Sequence, residues 1–210
     1  MQCTRCTRHC LADARFCDRC GAALDALAAA AVADEPPNND RFVGRQRELA
    51  VLDALLTRAL AAAGGTAALA GDPGIGKTHT AERLAEHALA RGMTVFWGRC
   101  NEEPGAPAYW PWQQMVQAWL AGADNHTVQR VAAREATALA EIVPEILERV
   151  PGCEPVPPTI DAAQARFRLF DAVASFWKRA AAEAPLLLVF DNLHWADASS
   201  LRLQIGRAHV

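Results

Sequence analysis

The chain has 210 residues and a formal net charge of −3. At about 100–200 residues per domain, that length allows one full domain plus a small module. The slightly acidic balance argues against bulk electrostatic binding of nucleic acid, which needs a basic face. Of the 51% of residues that count as hydrophobic, 45 residues are alanine, which buries little area and mainly favours helix. No run approaches the ~18 apolar residues of a membrane span. The longest candidate, Leu24 to Val32, is alanine-rich and closed by Asp34 and Glu35. Met1 leads straight into cysteines rather than into a signal peptide. Membrane and secreted classes are disfavoured, and a cytoplasmic location is expected.

Five of the seven cysteines fall in the first 20 residues. Cys3, Cys6, Cys17 and Cys20 read C-x2-C-x10-C-x2-C. Two residues between thiolates let one tight turn aim both sulfurs at one ion, and two such turns make a tetrahedral Zn²⁺ site. A pair of disulfides is the competing reading, but nothing points to an oxidising compartment. His9 and Cys10 compete as ligands but break the paired spacing. Cys100 and Cys153 are isolated and read as ordinary buried or loop thiols. The run Ala14-Arg15-Phe16-Cys17-Asp18-Arg19-Cys20-Gly21 resembles the short zinc ribbons at the front of bacterial multidomain proteins, although Thr7 stands where those ribbons usually have glycine. Residues 1–24 are therefore expected to be a zinc ribbon, folded by its metal because so short a module cannot build a core. Such ribbons serve as docking or structural units. Arg5, Arg8, Arg15 and Arg19 offer a weaker phosphate-binding alternative. Residues 25–40, ending Asp34-Glu35-Pro36-Pro37-Asn38-Asn39-Asp40, read as a linker.

Gly71-Asp72-Pro73-Gly74-Ile75-Gly76-Lys77-Thr78 matches G-x4-G-K-[ST]. The glycines let successive backbone N–H groups curl round a phosphate, and the helix that follows adds its positive end. Lys77 would reach the β- and γ-phosphates as a flexible point charge. It is one of only two lysines, against 19 arginines. Thr78 would set its hydroxyl on Mg²⁺. Thr66 to Ala70 reads as a buried strand before the loop, and Thr80 to Arg91 as the helix after it. A further strand is expected at Thr94 to Trp97, and helices at 46–63, 111–122, 127–149 and 162–183.

Pro185-Leu186-Leu187-Leu188-Val189-Phe190-Asp191 reads as a strand buried on both faces, with an acid at its carboxyl end. There Asp191 would hold the Mg²⁺ shell, the Walker B role. Asn192 follows, where many P-loop ATPases carry an acid that polarises the attacking water. An amide can orient a water but cannot take its proton, so slow turnover is expected. Asp197 reads as a helix N-cap or a site residue, and His194 as a packed loop histidine or a neighbour of the γ-phosphate.

Four stretches carry a wider resemblance: Phe42-Val43-Gly44-Arg45, the GxxxxGKT loop, Gly105-Ala106-Pro107-Ala108-Tyr109-Trp110-Pro111-Trp112, and Asp191-Asn192-Leu193-His194-Trp195-Ala196-Asp197. Together they make residues 41–204 look like the N-terminal part of a bacterial AAA/STAND-type ATPase domain of the origin-recognition kind. Such domains occur in LuxR-family regulators, multidomain adenylate cyclases and tetratricopeptide proteins. The resemblance implies a P-loop three-layer α/β sandwich with a parallel sheet and Mg²⁺-ATP as ligand. It puts Val43, Gly44 and Arg45 on the adenine side. Gly71, Gly74, Ile75, Gly76, Lys77, Thr78, His79 and Asp191 would hold nucleotide, and Lys77, Asp191 and Asn192 would do the chemistry. On sequence alone, Gly44-Arg45 is equally a turn before a helix, and the Tyr109–Trp112 aromatics read as packing under a helical insert.

The resemblance also implies a sensor-1 strand between the Walker A and Walker B strands and a lid beyond residue 203. The chain is therefore expected to be a fragment with an incomplete sheet. Residues 205–210, Ile-Gly-Arg-Ala-His-Val, break the helical pattern and look like a translated sequencing adapter; a natural helix end is the alternative. The expected function is an ATP-binding module of a signal-transduction or regulatory protein. A LuxR-type transcription regulator, with nucleic acid bound through a domain outside this sequence, or the ATPase part of a cyclase-like protein, are the alternatives. Protein partners would dock through the zinc ribbon or through repeats outside this sequence.

Overall fold

The computed structural model describes residues 45–100, 107–154 and 161–205. The chain divides into two compact units, Met1–Arg45 and Gln46–Val210. Of the first unit only Arg45 is described, so the expected zinc ribbon, the linker, Val43 and Gly44 lie outside the described residues. Among its described residues the second unit runs helix, phosphate loop, helix, strand, a crossover of five helices, strand, helix.

Helix α1 (Gln46–Leu60) turns Leu52 and Leu56, one helical turn apart, into the interior. Helix α2 (Lys77–Ala90) starts directly on the loop and buries Thr80, Ala85 and Ala88. It ends in a left-handed Gly92 (φ 78°), with Gly92 N–H donating to Leu89 O at 2.9 Å and Met93 N–H to Ala88 O at 3.0 Å. That pair of bonds satisfies the last carbonyls and turns the chain into the next strand, a conformation open to glycine at no steric cost.

Strand β1 (Thr94–Arg99) pairs in parallel with β2 (Leu186–Asp191), in the register Thr94↔Leu186 through Arg99↔Asp191. Parallel neighbours require a crossover, here α3 (Trp110–Gly122), α4 (Asn125–Ala132), α5 (Ala136–Leu139), α6 (Ile146–Arg149) and α7 (Ala162–Glu183). Alternation along each strand sends Phe96, Leu188 and Phe190 to the crossover side. Val95 and Leu187 go to the other face, against Leu56, Ala88 and Met93 of the α1–α2 layer. The result is three layers, helix–sheet–helix.

The crossover carries most of the core: Trp112, Met115, Val116, Val128, Leu139, Val143, Ile146, Val173 and Phe176 are each no more than 1% exposed. Trp119, Phe176 and Trp177 stack edge to face at centroid distances of 5.0 and 4.9 Å. Asp124 caps α4 by accepting from Thr127 N–H at 2.9 Å, and Asp161 caps α7 by accepting from Ala163 N–H at 2.8 Å. Arg149 closes the end of α3 by donating to Leu120 O and Ala123 O at 3.0 and 2.7 Å. An Arg fork there answers carbonyls that the helix leaves unpaired.

Where α3 meets the sheet, the backbones touch. A Cβ on Gly98 would lie 2.5 Å from Pro111 O and 2.9 Å from Pro111 Cβ, so only glycine admits the helix at this height. Beside it, the Gln114 amide acts as a one-residue strand: Arg99 N–H donates to its Oε1 at 3.2 Å, and its Nε2 donates to Arg99 O at 2.8 Å. That occupies backbone groups at the edge of β1 that would otherwise invite another strand.

Two expectations are corrected. Thr66 to Ala70 forms no strand; all but Leu69 are exposed, and among the described residues β1 and β2 pair only with each other. An apolar run becomes a strand only where a neighbour takes its N–H and C=O groups. The expected helix 127–149 is three shorter ones, α4, α5 and α6. Pro144 lies between the last two; it has no N–H to give an α-helical ladder, and its ring clashes with the preceding turn. The helices at 46–63, 111–122 and 162–183 form within a few residues of their expected bounds, and β1 extends the expected Thr94–Trp97 strand to Arg99. The last helix, α8 (Ala198–Ile205), includes Ile205; residues 206–210 lie outside the described residues.

Candidate functional site

The loop from Gly71 to Gly76 is exposed, apart from a half-buried Gly76, and is shaped by its glycines. Gly74 and Gly76 have φ of 75° and 89°, the left-handed region where a side chain is strained. Gly76 is also the N-cap of α2, so the loop delivers the chain directly into the positive end of the helix. Ile75 N–H donates to Asp72 O at 3.4 Å, and Thr80 anchors the first turn by donating its hydroxyl to Gly76 O at 2.9 Å. Alternating handedness of this kind turns successive N–H groups into one concavity, an anion-binding nest.

Lys77 folds its ammonium back over the loop and donates to Gly71 O and Asp72 O, both at 2.9 Å. Thr78, the next residue on α2, donates its hydroxyl to Asp191 Oδ1 at 3.0 Å, a contact between residues 113 apart in sequence. The carboxyl end of β2 thus meets the first turn of α2, where ligands of open parallel sheets bind. The same Asp191 oxygen accepts the Asn192 N–H at 2.9 Å. A hydroxyl and a carboxylate side by side form the hard-oxygen pair that suits Mg²⁺.

Asn192 has a second task that sequence reasoning missed. It sits in the left-handed region at φ 57°, ψ 38°, where it caps the short 3-10 turn Leu193–Trp195. Asn tolerates that region better than most side chains, so its identity serves the turn. Its side chain is exposed at the site.

Of the other expected residues, Ile75 lies on the loop, His79 on α2, His194 on the turn after β2 and Asp197 at the start of α8, while Val43 and Gly44 lie outside the described residues. Ile75 is exposed, and a Cβ on Gly71 would press its Cγ2 at 3.2 Å. His79 points outward from α2, its Nδ1 3.5 Å from Glu82 Oε2. His194 is exposed, with its ring 5.0 Å from that of Trp195. Asp197 is the N-cap of α8: its Oδ1 accepts from Ser199 and Ser200 N–H, both at 2.9 Å. Its other oxygen accepts from the Ser200 hydroxyl and, at 3.3 Å, from Tyr109 N–H, stapling the start of α3 to α8. The aromatics beside it are packing, as expected. Trp112 is 1% exposed, donates its indole N–H to Ser200 O at 3.3 Å and meets Phe190 at 4.6 Å.

Cys100 is buried directly beyond β1, its N–H donating to Asp191 O at 3.1 Å. Burial pushes its thiol up from the usual range, and the negative charges of Asp197 and then Asp191 push it further. It stays a protonated, inert thiol at the rim of the site. Cys153 is half-buried and donates only a weak bond to Ala133 O at 3.8 Å.

Among the described residues no helix is long and apolar enough to cross a membrane, and no cluster of three metal-ligating side chains occurs. The four cysteines of the expected zinc site lie outside them.

A glycine-shaped loop entering a helix, with its threonine bonded to an acid at the end of a parallel strand and helices on both sheet faces, defines a P-loop nucleotide-binding α/β domain. Residues 41–207 match the family model of the AAA ATPase domain. That is most of the chain, and the protein belongs to this family of nucleotide-binding ATPase modules. No curated protein and no solved structure matches it.

Proposed function

We propose that the chain is the Mg²⁺-ATP-binding module of a multidomain signal-transduction or regulatory protein, one that hydrolyses its nucleotide slowly. The observation that carries this reading is the Thr78–Asp191 contact at 3.0 Å. It joins the two halves of the site, and both groups are oxygen donors of the kind Mg²⁺ takes.

Bound Mg²⁺-ATP would supply the charge that the loop is built to hold and the phosphoanhydride bond to be broken. Gly71, Gly74 and Gly76 would present their backbone N–H groups to the phosphates, Ile75 would join them by exchanging its long bond to Asp72 O, and Lys77 would exchange its two loop carbonyls for phosphate oxygens. Thr78 and Asp191 hold the metal ion. Val43, Gly44 and Arg45 serve the adenine side and His79 the loop side. Asn192 orients a water through its amide but removes no proton from it. Positioning without a base leaves hydrolysis slow, so the bound state is long-lived and suited to a switch.

The Cys3, Cys6, Cys17 and Cys20 set is proposed as a structural Zn²⁺ ribbon that docks a protein partner. The parent protein would belong to the cytoplasmic regulators, with a LuxR-type transcription factor or a cyclase-like enzyme as the alternatives.

Titration of the full chain with a fluorescent ATP analogue and Mg²⁺ tests the reading. Saturable binding is expected, with a loss of about tenfold or more in Lys77→Ala. No binding, or binding indifferent to Lys77, contradicts it. In single-turnover assays Asn192→Asp, which adds a base while keeping a residue tolerant of φ 57°, should raise hydrolysis at least tenfold over the native Asn.

A further inference from the structure

The register of the β1–β2 pair places a residue at the site that no motif identifies. Asp191 is the last residue of β2, and its partner on β1 is Arg99. Parallel neighbours lie about 4.8 Å apart and point their paired side chains to the same face. That face is fixed at each register position. Phe96, Leu188 and Phe190 go to the crossover core, and Gly98 faces Pro111. Val95 and Leu187 go to the α1–α2 layer. Arg99 and Asp191 follow Val95 and Leu187 by even steps, so Arg99 leaves the sheet on the side where Asp191 meets Thr78.

Two contacts define how Arg99 rests. Its Cζ lies over the Trp97 ring, 5.1 Å from the centroid, a cation–π contact between residues of one face. Its backbone is clamped at both N–H and C=O by the Gln114 amide. Arg99 nonetheless remains exposed, so its long side chain is free to leave the Trp97 ring and swing to a ligand at the carboxyl end of the sheet.

We propose that Arg99 binds the terminal phosphate of the nucleotide and makes the site prefer the triphosphate over the diphosphate. This rests on the nucleotide-binding reading above and adds to it the group that tells the two nucleotides apart. The glycine loop and Lys77 lie at the start of α2, where phosphates common to ATP and ADP are held. Arg99 stands beside Asp191 at the strand ends, the side toward which the terminal phosphate of a longer chain would extend. A planar guanidinium meets phosphate oxygens bidentately, and a terminal phosphate carries the extra charge that rewards it. With an amide at Asn192 and no base, such a site keeps a stable ATP-bound state. A cation that engages only that state provides the differential affinity a switch requires.

The test is calorimetric titration of the full chain with Mg²⁺-ADP and with a non-hydrolysable Mg²⁺-ATP analogue. The native chain, Arg99→Gln, Arg99→Lys and Lys77→Ala are compared, and circular dichroism melting checks that each is folded. Arg99→Gln should weaken the ATP analogue about tenfold or more while leaving ADP within about twofold. Arg99→Lys should recover part of the loss, because charge returns without the fork. Equal weakening of both nucleotides, or of neither, overturns the proposal while leaving the nucleotide site itself intact. Failure of the native chain to bind either nucleotide, or binding untouched by Lys77→Ala, overturns the underlying reading as well.

Discussion

The two faces of the β1–β2 pair are packed to different depths. On the crossover side lie Trp112, Phe176, Met115, Leu139 and Ile146, each no more than 1% exposed and locked by tilted and edge-to-face rings. On the other side the buried cluster is Leu56, Ala88 and Met93. The loop beyond it, residues 63–75, is exposed except at Leu69. Buried apolar area supplies most of the resistance to local opening. The crossover is therefore the fixed wall of the domain and the phosphate side its adaptable part. Asp191 and Arg99 stand at the end of the wall, whereas Lys77 and Thr78 stand on the helix that faces it.

Substitutions that break the wall should cost most. Phe176→Ala removes a fully buried ring that touches both Trp119 and Trp177, and should lower stability by about 3–5 kcal/mol in urea unfolding. Gly98→Ala comes next. Its new methyl would press on Pro111 O and Cβ, so α3 must shift away from β1 at a cost of about 1–3 kcal/mol. Asp197→Ala removes the cap of α8 and the acceptor for Tyr109 N–H, and should cost about 1 kcal/mol by the same assay. These three act on the wall or its joints.

The smallest effect concerns the rim. With its pKa raised by burial and by Asp197 and Asp191, Cys100 should resist iodoacetamide at pH 8, while the half-buried Cys153 reacts before it under native conditions. The sign of the linkage follows from the same shift. An unfolded thiol ionises near its ordinary value of 9.0, whereas the folded one stays protonated. The protonated thiol's contribution to stability is therefore complete below that value and is lost as pH rises past it toward the folded pKa. Cys100→Ala should remove that alkaline slope. Equal alkylation of the two cysteines would contradict the burial of Cys100.

How much of this was legible in the residues depends on whether the signal was local. The Gly71–Thr78 loop was readable because each of its residues answers to one phosphate-binding task, and the structure gives Gly74 and Gly76 the left-handed backbone those tasks need. Helix α7 was readable at 162–183, and the structure adds Asp161 as its cap. The Asp197 cap was readable too, though not its second bond to Tyr109, 88 residues away. What failed was non-local. Thr66 to Ala70 has the composition of a strand, but pairing is decided by a neighbour that composition does not reveal. Residues 127–149 fold as three helices, with Pro144 between the last two, and Arg130 of α4 reaches Glu183 of α7 while Arg179 of α7 reaches Val131 O, contacts that spacing along the chain does not reveal. Arg99 was invisible for the same reason, since only the register sets it opposite Asp191.

The most direct measurement is amide hydrogen exchange on the full chain with and without Mg²⁺-ATP. A fixed wall and a nucleotide-ordered loop predict new protection at residues 71–80 and at Asn192. Exchange in α3 and α7 should already be slow and should not change. Uniform protection across both faces, or none at residues 71–80, would contradict the division of the domain into wall and phosphate side.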